Sequence, residues 1–397
     1  MKRIILIMIT MLLMSAVTAD AGTIEMLNLT SDGQAAAGAS SNASMTADGR
    51  FVVFYSDADL LGDGTGPGIY YRDRVAGVTG YIDVGLSEID YSGASPLRIS
   101  EDGSRLVFLG LIGYSGNVCV YDFGQAISRC HELSPYGLVY PIIADKIVSV
   151  DPAGMVAAFN LKYMTTALPG TQGCVTGQVL LDLETGIPSC MPYTPVKGRD
   201  SCTPRMAPPT MSRGGTLQLY HVKNTCLRQL KNRSYANVYY LEDYLLFDTT
   251  NGSVDHIAGI SADTFRPDRS ESGSYLSADG TAIAYENYVT KGKEPGSVLI
   301  NLTGLDNQKD KPIGQGFSPV LSGDGTVVAY RNGSQLIAYD TLSGQSEIIH
   351  SGSNDKVISL SQDGRYILFS TNSDSVTTED TNGRPDVFLY DRFGAVN

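Results

Sequence analysis

The chain has 397 residues, a formal net charge of −13 and no tryptophan. This excess of negative charge excludes nucleic acid and anionic membrane surfaces as favoured partners, because both repel an acidic protein. We interpret the charge as serving the solubility of an exported protein rather than cation binding. The length corresponds to two or three ordinary domains unless an internal repeat builds one large domain. The absence of tryptophan argues against a lectin that stacks sugars.

The first 21 residues have the pattern of a secretory signal peptide. Lys2 and Arg3 precede the apolar run IILIMITMLLMSAV, and Ala19 and Ala21 form an A-x-A cleavage site. A membrane anchor is the alternative, but the run is shorter than the roughly 20 apolar residues that span a bilayer, and no cysteine follows it for lipidation. We therefore expect cleavage after Ala21 and a soluble protein, residues 22–397, that is periplasmic or secreted.

A short hairpin signature recurs through the rest of the chain. Its seven copies are MTADGRFVVFYS at Met45, ISEDGSRLVFLG at Ile99, VDPAGMVAAFNL at Val150, MSRGGTLQLYHV at Met211, LSADGTAIAYEN at Leu276, LSGDGTVVAYRN at Leu321 and LSQDGRYILFST at Leu360. Each joins a short apolar stretch, through a tight turn with glycine, to an alternating run of β-branched and aromatic residues. This pattern is typical of a β-hairpin.

Two further apolar runs follow each hairpin, such as QLIAYD and QSEIIH in the sixth copy. Four antiparallel strands in each of seven repeats predict an all-β fold, a single seven-bladed β-propeller. The last copy ends after its third run, DVFLYD, whereas GTIEMLNLT precedes the first hairpin and belongs to no copy. We predict that a strand near residues 24–29 pairs with one near 387–390, so that the N- and C-terminal strands close the ring.

The S-x-D-G hairpins and the final D-T-N-G-x-x-D-V-F-L-Y-D-R resemble the WD40-like PD40 repeat of TolB-type bacterial periplasmic propellers. The resemblance covers the whole chain after the leader, although DPAG and SRGG replace the motif in the third and fourth copies. It implies a propeller fold. For function it implies several classes, because such propellers include peptide-binding scaffolds, peptidase-associated domains and a few lyases or lactonases.

The chain has six cysteines, an even number, which in an exported protein favours three disulfides over metal ligation or free thiols. The turn after Asp122 places Cys119 opposite Cys130, which predicts a cross-strand bridge. In blade four the turn places Met211 opposite Thr216, and nearly the same register brings Cys202 opposite Cys226. Cys174 and Cys190 then remain for each other, although the prolines near Cys202 leave the strand limits, and so these last two pairings, open.

The loop EDTNGRPD offers Asp380, Asn382 and Asp386 as oxygen ligands around a glycine turn, which predicts a calcium site. The alternative is an Asx-stabilised turn that leads into a strand. No cofactor other than calcium is expected. The four histidines fall at strand ends on different predicted blades, without a metal-binding spacing, which favours structural roles. No G-x-S-x-G or phosphate-binding loop motif is present, so no catalytic residue is assigned.

Residues 163–243 are the least repeat-like part of the chain and are locally basic. We interpret this stretch as loops that dock a partner, because rigid propeller blades commonly present function on their loops. The alternative is that these residues only solvate long loops and fill gaps between blades. The candidate docking residues are Arg228, Lys231, Arg233, Tyr235, Tyr239 and Tyr240, with Arg205, Arg213, Tyr220 and Lys223 as further members.

The sequence therefore favours a monomeric, non-catalytic scaffold that binds a protein or peptide of the cell envelope. The alternative is a propeller hydrolase or lyase that acts on an ester, lactone or polyuronide at an axial site. Residues from separate blades would build such a site without a local motif, whereas the paired acid and base, activated nucleophile or metal cluster that catalysis requires is not visible in the sequence.

Overall fold

The computed structural model is all-β, and it describes most of the chain beyond the leader. The described residues are 22–85, 97–112, 115–132, 149–160, 178–190, 202–206, 209–229, 236–262, 273–289, 297–304, 310–352, 354–378 and 380–394. Within them the regular structure is β-strand, apart from a 3-10 turn at Arg213–Gly215. This part of the chain contains no helix that is long and apolar enough to span a membrane.

The strands form seven antiparallel sheets, the blades of the predicted propeller. After β1 (Thr23–Met26), blade one consists of β2 (Ser40–Met45), β3 (Phe51–Ser56), β4 (Gly68–Asp73) and β5 (Val78–Tyr81). Blade two consists of β6 (Arg98–Ile99), β7 (Arg105–Ile112), β8 (Ser115–Asp122) and β9 (Ile127–Glu132). Blade three consists of β10 (Ser149–Val150), β11 (Val156–Asn160), β12 (Gln178–Asp182) and β13 (Pro188–Cys190).

Blade four has five strands: β14 (Cys202–Met206), β15 (Thr210–Met211), β16 (Leu217–Gln229), β17 (Ala236–Asp248) and β18 (Ser253–Ala262). Blade five consists of β19 (Ser274–Leu276), β20 (Ala282–Val289), β21 (Ser297–Gly304) and β22 (Asp310–Gln315). Blade six consists of β23 (Phe317–Leu321), β24 (Val327–Asn332), β25 (Gln335–Asp340) and β26 (Ser346–Ser351). Blade seven contributes β27 (Lys356–Leu360), β28 (Tyr366–Thr371) and β29 (Asp386–Asp391).

The N-terminal strand supplies the missing fourth strand of blade seven, which confirms the predicted closure. β1 pairs antiparallel with β29, from Thr23 opposite Asp391 to Met26 opposite Phe388. Met26 and Leu27 are buried on opposite faces of blade seven, one in the core shared with blade six and the other in the core shared with blade one. The two ends of the chain are thus joined by main-chain hydrogen bonds and by apolar burial.

The repeated signature is explained by the hydrogen bonds of its turn. In blade two the Ser100 hydroxyl donates to Asp102 Oδ1 at 2.7 Å and accepts the N–H of Arg105 at 3.0 Å. Ser277, Ser322 and Ser361 donate to their own aspartates over the same distance. In blade three Asp151 replaces the serine and its carboxylate accepts the N–H groups of the turn directly, so the motif looks weak while the turn is kept.

The turns of neighbouring blades are bonded to one another and form a ring around the axis. The bonds that complete this ring, in blade order, are Ala47 N to Glu101 O, Glu101 N to Pro152 O, Gly214 N to Asp151 Oδ2, Arg213 N to Ala278 O, Asp279 N to Gly323 O, Asp324 N to Gln362 O and Gln362 N to Ala47 O. We call this end of the propeller the turn end. The connections from the second to the third strand, and from each blade to the next, leave from the opposite end, which we call the open end.

Candidate functional site

Blade four departs from the other blades in the length of its central hairpin. β16 and β17 have 13 residues each and stay in register from Leu217 opposite Asp248 to Gln229 opposite Ala236. The second and third strands of the other blades have five to eight residues. At ~3.4 Å per residue the hairpin therefore extends about 20 Å farther than its counterparts. We call residues 222–229 and 236–243 the arm; it extends toward the open end.

The arm is stiffened on both sides by additional pairing. β14 pairs with β16 from Cys202 opposite Cys226 to Met206 opposite Val222. On the other side β18 continues along β17 as far as Ala262 opposite Tyr240. A hairpin that is held by a strand on each edge is a rigid projection, because its backbone hydrogen bonds are satisfied within a four-stranded sheet.

A buried polar cluster lies at the base of the arm. His221 Nε2 lies 2.9 Å from Glu242 Oε2, and the His221 ring stacks on Tyr244 at a centroid distance of 4.7 Å. Asp243 is fully buried and binds both Asn224 Nδ2, at 2.8 Å, and His256 Nε2, at 3.0 Å. These bonds tie β16, β17 and β18 together where the arm leaves the blade.

The predicted docking residues divide between the arm and positions outside the described residues. Arg228, Tyr239 and Tyr240 lie on the arm, with Arg228 opposite Asn237 and Tyr239 opposite Cys226. Arg205 on β14 and Lys223 on β16 face each other in register at its base. Lys231, Arg233 and Tyr235 belong to residues 230–235 and lie outside the described residues.

Two further members of the predicted docking set are elsewhere, and their assignment to it was wrong. Tyr220 is 1% exposed and belongs to the core between blades three and four. Arg213 lies in the turn ring at the turn end. The prediction that the histidines occupy different blades was also wrong, because His221 and His256 share blade four, where His221 bonds Glu242 and His256 bonds the next residue, Asp243. Sequence spacing did not reveal that His221 and His256 share a blade, because a bulge between Tyr244 and Leu245 shifts the pairing of β17 with β18.

At the turn end the side chain of Arg213 crosses the axis. It bonds Glu101 of blade two at 2.6 Å, and its Nη2 reaches Gln362 of blade seven at 3.3 Å. Glu101, Arg213 and Gln362 each follow the first residue of their signature turn, which is Ser100, Ser212 or Ser361. At the same position blades one, three, five and six carry Ala47, Pro152, Ala278 and Gly323. Long side chains at three of the seven positions thus converge on the axis and obstruct the turn end of the central channel.

On the innermost strand of each blade, the position two residues before the signature turn lies closer to the open end and is mostly polar. The residue two positions before the first turn residue is Ser44, Ser149, Thr210 or Ser359 in four blades and Val320 in blade six. The Ser44 hydroxyl accepts the N–H of Ile99 at 3.2 Å and the Thr210 hydroxyl that of Leu276 at 3.0 Å, so these side chains lie across the inner edge of the next blade. Blades two and five place Arg98 and Tyr275 at this level instead.

Arg98 and Tyr275 lie at equivalent positions on the innermost strands of blades two and five. Burial raises the pKa of the Tyr275 hydroxyl, and the Arg98 charge partly offsets that rise in pKa. Burial also lowers the pKa of the Arg98 guanidinium. We did not identify this pair from the sequence, although aligning the seven copies shows one Arg and one Tyr at a position otherwise held by small residues.

The structure brings the three predicted calcium ligands together, next to the ring closure. Asp386 is fully buried and accepts hydrogen bonds from Asn28 Nδ2 and, at 3.2 Å, from Asn382 Nδ2. Asn382 Oδ1 accepts the N–H of Arg384 at 2.6 Å and so turns away from Asp386. Asp380 Oδ2 is buried and has no hydrogen-bond partner among the described residues.

The electrostatics of this loop favour a proton between the two carboxyl groups. Burial, reinforced by Asp380, raises the pKa of Asp386 from 3.8 to about 7. Burial also raises the pKa of Asp380. In the described part of the chain no three His, Cys, Asp or Glu side chains are arranged to hold a metal ion.

The structure describes both cysteines of two of the three predicted pairs. Cys119 and Cys130 form a disulfide between β8 and β9, which confirms the predicted bridge. Cys202 lies opposite Cys226 in the backbone register, as predicted, and the bridge between them stays a prediction. Cys174 is outside the described residues, so its pairing with Cys190 also stays a prediction.

Comparison with known proteins supports the fold and leaves the activity open. No family model matches the chain, and no curated protein matches it. An oligogalacturonate lyase in complex with manganese matches with 12% identity and a TM-score of 0.55, over 94% of this chain and 96% of the lyase. The propeller domain of the Trilobed protease from Pyrococcus furiosus, described as having an open velcro topology, matches with 12% identity and a TM-score of 0.50, over 89% of this chain and 93% of the domain.

TolB from Acinetobacter baumannii is also similar, with 13% identity and a TM-score of 0.40, over 80% of this chain and 65% of TolB. The lyase and protease matches therefore agree with the β-propeller fold that the seven sheets show. Identities of this size indicate a shared fold alone.

Proposed function

We propose that this protein is an exported propeller of the PD40 type that binds an acidic segment of an envelope protein or peptide through the arm of blade four. The observation that carries the proposal is the arm itself, a paired projection of 13-residue strands on a frame whose other hairpins are much shorter. The other blades lack such an extension, so we assign a binding function to it.

The sequence charge of the arm and of residues 230–235, which lie outside the described residues, gives the class of partner. The chain as a whole carries −13, whereas Arg228, Lys231 and Arg233 place three positive charges within six residues. Basic groups on an acidic protein attract an acidic partner, whereas the rest of its negative surface repels that partner, which favours one docking orientation. Tyr235, Tyr239 and Tyr240 supply aromatic contact area, which is common at binding hot spots.

The rigid base of the arm supports the same proposal. Because the bonds of Asp243 and Glu242 hold β16, β17 and β18 at one place, the arm loses little freedom when a partner binds. Affinity then depends on the contacts with the partner rather than on ordering the scaffold. Cleavage after Ala21 would place this surface in the periplasm or outside the cell, and calcium is not required for it.

The second candidate function is a hydrolase or lyase with an axial site. The similarity to an oligogalacturonate lyase extends over nearly the whole chain but at 12% identity, so it supplies a substrate to test, namely oligogalacturonate. The polar channel wall at Arg98 and Tyr275 is the feature of this chain that would receive an acidic sugar.

The test compares two variants of equal charge change. The arm variant carries Arg228→Ala, Lys231→Ala, Arg233→Ala and Tyr235→Ala. The control variant carries Arg129→Ala, Lys311→Ala and Arg384→Ala, at exposed positions on other blades. Each protein is used to capture partners from envelope extract, and the affinity for the purified partner is then measured by calorimetry at two salt concentrations.

We expect the arm variant to bind at least about tenfold more weakly, because hot-spot truncations cost 1.4 kcal/mol or more, and the control variant to bind like wild type. Both variants should melt at the wild-type temperature. Equal binding by the arm variant, or no partner together with turnover of oligogalacturonate by wild type, would contradict the proposal.

A further inference from the structure

We propose that the axial channel binds an anionic group, a carboxylate or a phosphate, between Arg98 of blade two and Tyr275 of blade five. The inference concerns a small ligand inside the ring and is independent of docking through the arm. It begins from the bonding of Arg98, which lacks the carboxylate partner that several other partly buried arginines have.

Those arginines each face a carboxylate. Arg74 Nε lies 2.9 Å from Glu25, Arg365 Nη2 lies 2.8 Å from Asp391, and Arg392 lies between Asp340 and Glu347. Arg98 has no ion pair among the described residues, and its one hydrogen bond there runs from Nη1 to the carbonyl oxygen of Leu97 at 2.9 Å. A guanidinium withdrawn from water is stable only with a partner, so a counter-anion completes this site.

The groups around Arg98 are those that an oxyanion needs. Tyr275 is the equivalent residue of blade five, three blades away around the ring, and its phenolic O–H is a hydrogen-bond donor. The hydroxyls of Ser149 and Ser359 lie at the same level, and Ser359 Oγ is buried without a partner among the described residues. The planar fork of an arginine matches the two oxygens of a carboxylate or phosphate, and neutral hydroxyls add donors without adding charge.

The charges of the residues near the axis also favour an anionic ligand. No acidic residue occurs among the seven positions at the level of Arg98. The nearest charged residues toward the turn end, Glu101 and Arg213, bond each other at 2.6 Å and cancel. At these two levels the described residues therefore carry one net positive charge, in a protein whose total is −13. A ligand would enter from the open end, because the Arg213 side chain crosses the turn end.

The test measures binding of succinate and of inorganic phosphate to the purified, signal-cleaved protein by titration calorimetry at low ionic strength. Succinamide, which has the shape of succinate without its charge, is the ligand control. The variants are Arg98→Gln and Tyr275→Phe, and Arg129→Gln on the exposed face of β9 is the matched protein control.

We expect at least one of the two anions, and not succinamide, to bind the wild type, and the anion that binds identifies the ligand class. Arg98→Gln should weaken binding by at least about tenfold, since it removes a charge-assisted hydrogen bond, and Tyr275→Phe by about three- to tenfold. Arg129→Gln should bind like wild type. Because Arg98→Gln removes an unpaired charge, its melting temperature should not fall. If that variant does not fold, Tyr275→Phe carries the test. Binding of neither anion, or equal binding by all variants, would overturn the proposal.

Discussion

The substitution Asp380→Asn should make the free energy of unfolding less dependent on pH. In the wild type the carboxyl groups of Asp380 and Asp386, next to the ring closure, share a proton, and the variant places an amide there instead. Asp386 is the first residue of β29, and its carboxylate binds Asn28, which follows the closing strand β1. Asp380 Oδ2 has no hydrogen-bond partner within the described residues. An amide at residue 380 has almost the same shape as the carboxyl group and donates to Asp386 at every pH.

The size of the effect follows from the raised pKa of Asp386. In the unfolded chain this carboxyl group loses its proton near pH 3.8, whereas burial raises its pKa in the folded protein to about 7. Between these two values the folded state binds more protons than the unfolded state, so the free energy of unfolding falls as the pH rises. At 1.36 kcal/mol per pH unit the loss between pH 4 and pH 7 approaches about 4 kcal/mol.

Thermal unfolding of wild type and variant from pH 4 to pH 8 tests this reasoning. With an unfolding entropy of about 2.1 cal/mol/K per residue, 3 to 4 kcal/mol corresponds to roughly 4 to 5 °C in a protein of this size. The wild-type melting temperature should therefore fall relative to that of Asp380→Asn as the pH rises, and the two should differ most above pH 7. Asp374→Asn is the control, because Asp374 lies in the same loop and binds the N–H of Gly383 at its exposed edge. Parallel curves for wild type and Asp380→Asn would refute the shared proton.

Three further changes test the closure and the disulfide. Deleting residues 22–30 should lower the free energy of unfolding by several kcal/mol in chemical denaturation, because β1 and the buried Met26 and Leu27 are lost, and an unchanged midpoint would contradict the closure. Leu27→Ala alone should cost about 2 to 5 kcal/mol, since Leu27 is 0% exposed, whereas Leu342→Ala at an exposed turn should cost little. Replacing Cys119 and Cys130 by Ala should cost about 3 kcal/mol for an 11-residue separation. Alkylation of unreduced protein should label no cysteine, and any label would argue against three bridges.

The ring closure was predictable because it follows from counting strands. A propeller blade needs four, the last copy of the repeat has three, and the N-terminal GTIEMLNLT had no blade of its own. The disulfide of blade two was predictable for a similar reason, since a turn of known length fixes every pair along the hairpin, including Cys119 with Cys130. Both predictions rest on local geometry, which sequence patterns report well.

The register of blade four shows where local counting fails. The sequence predicted Met211 opposite Thr216, whereas the structure pairs Met211 with Gln218, because the turn contains the 3-10 segment Arg213–Gly215. The structure nevertheless places Cys202 opposite Cys226 in the backbone register, as predicted. The reason is that the first strand of the blade is interrupted between β14 and β15, and the register shifts by one residue across this interruption. The prolines near Cys202 mark that interruption, but no pattern gives its size.

The contacts that build candidate sites were not predictable, because each joins residues that are remote in the chain. Asn28 meets Asp386 across a separation of 358 residues, and Arg213 meets Glu101 across 112. A tight turn or a strand pair leaves a signature in neighbouring residues, whereas a contact across the ring depends on how all seven blades are arranged. The candidate calcium loop was found from sequence because its three residues lie within seven positions, and even there the orientation of Asn382 required the structure.

The positions where the repeat is broken are therefore the best guide to function in this protein. The serine, aspartate and glycine of each signature are occupied by the hydrogen bonds of their own turn, as in Ser100 and Asp102, and have little capacity left for a ligand. Residues that replace the common small side chain at an equivalent position are not needed by the turn. Arg98, Tyr275 and Arg213 are of this kind, and so is the long arm of blade four, whose two strands are longer than those of the other blades. Substituting residues at these positions should change ligand or partner binding while leaving the ring of blades intact. Substituting the signature residues should instead lower the stability of the fold first.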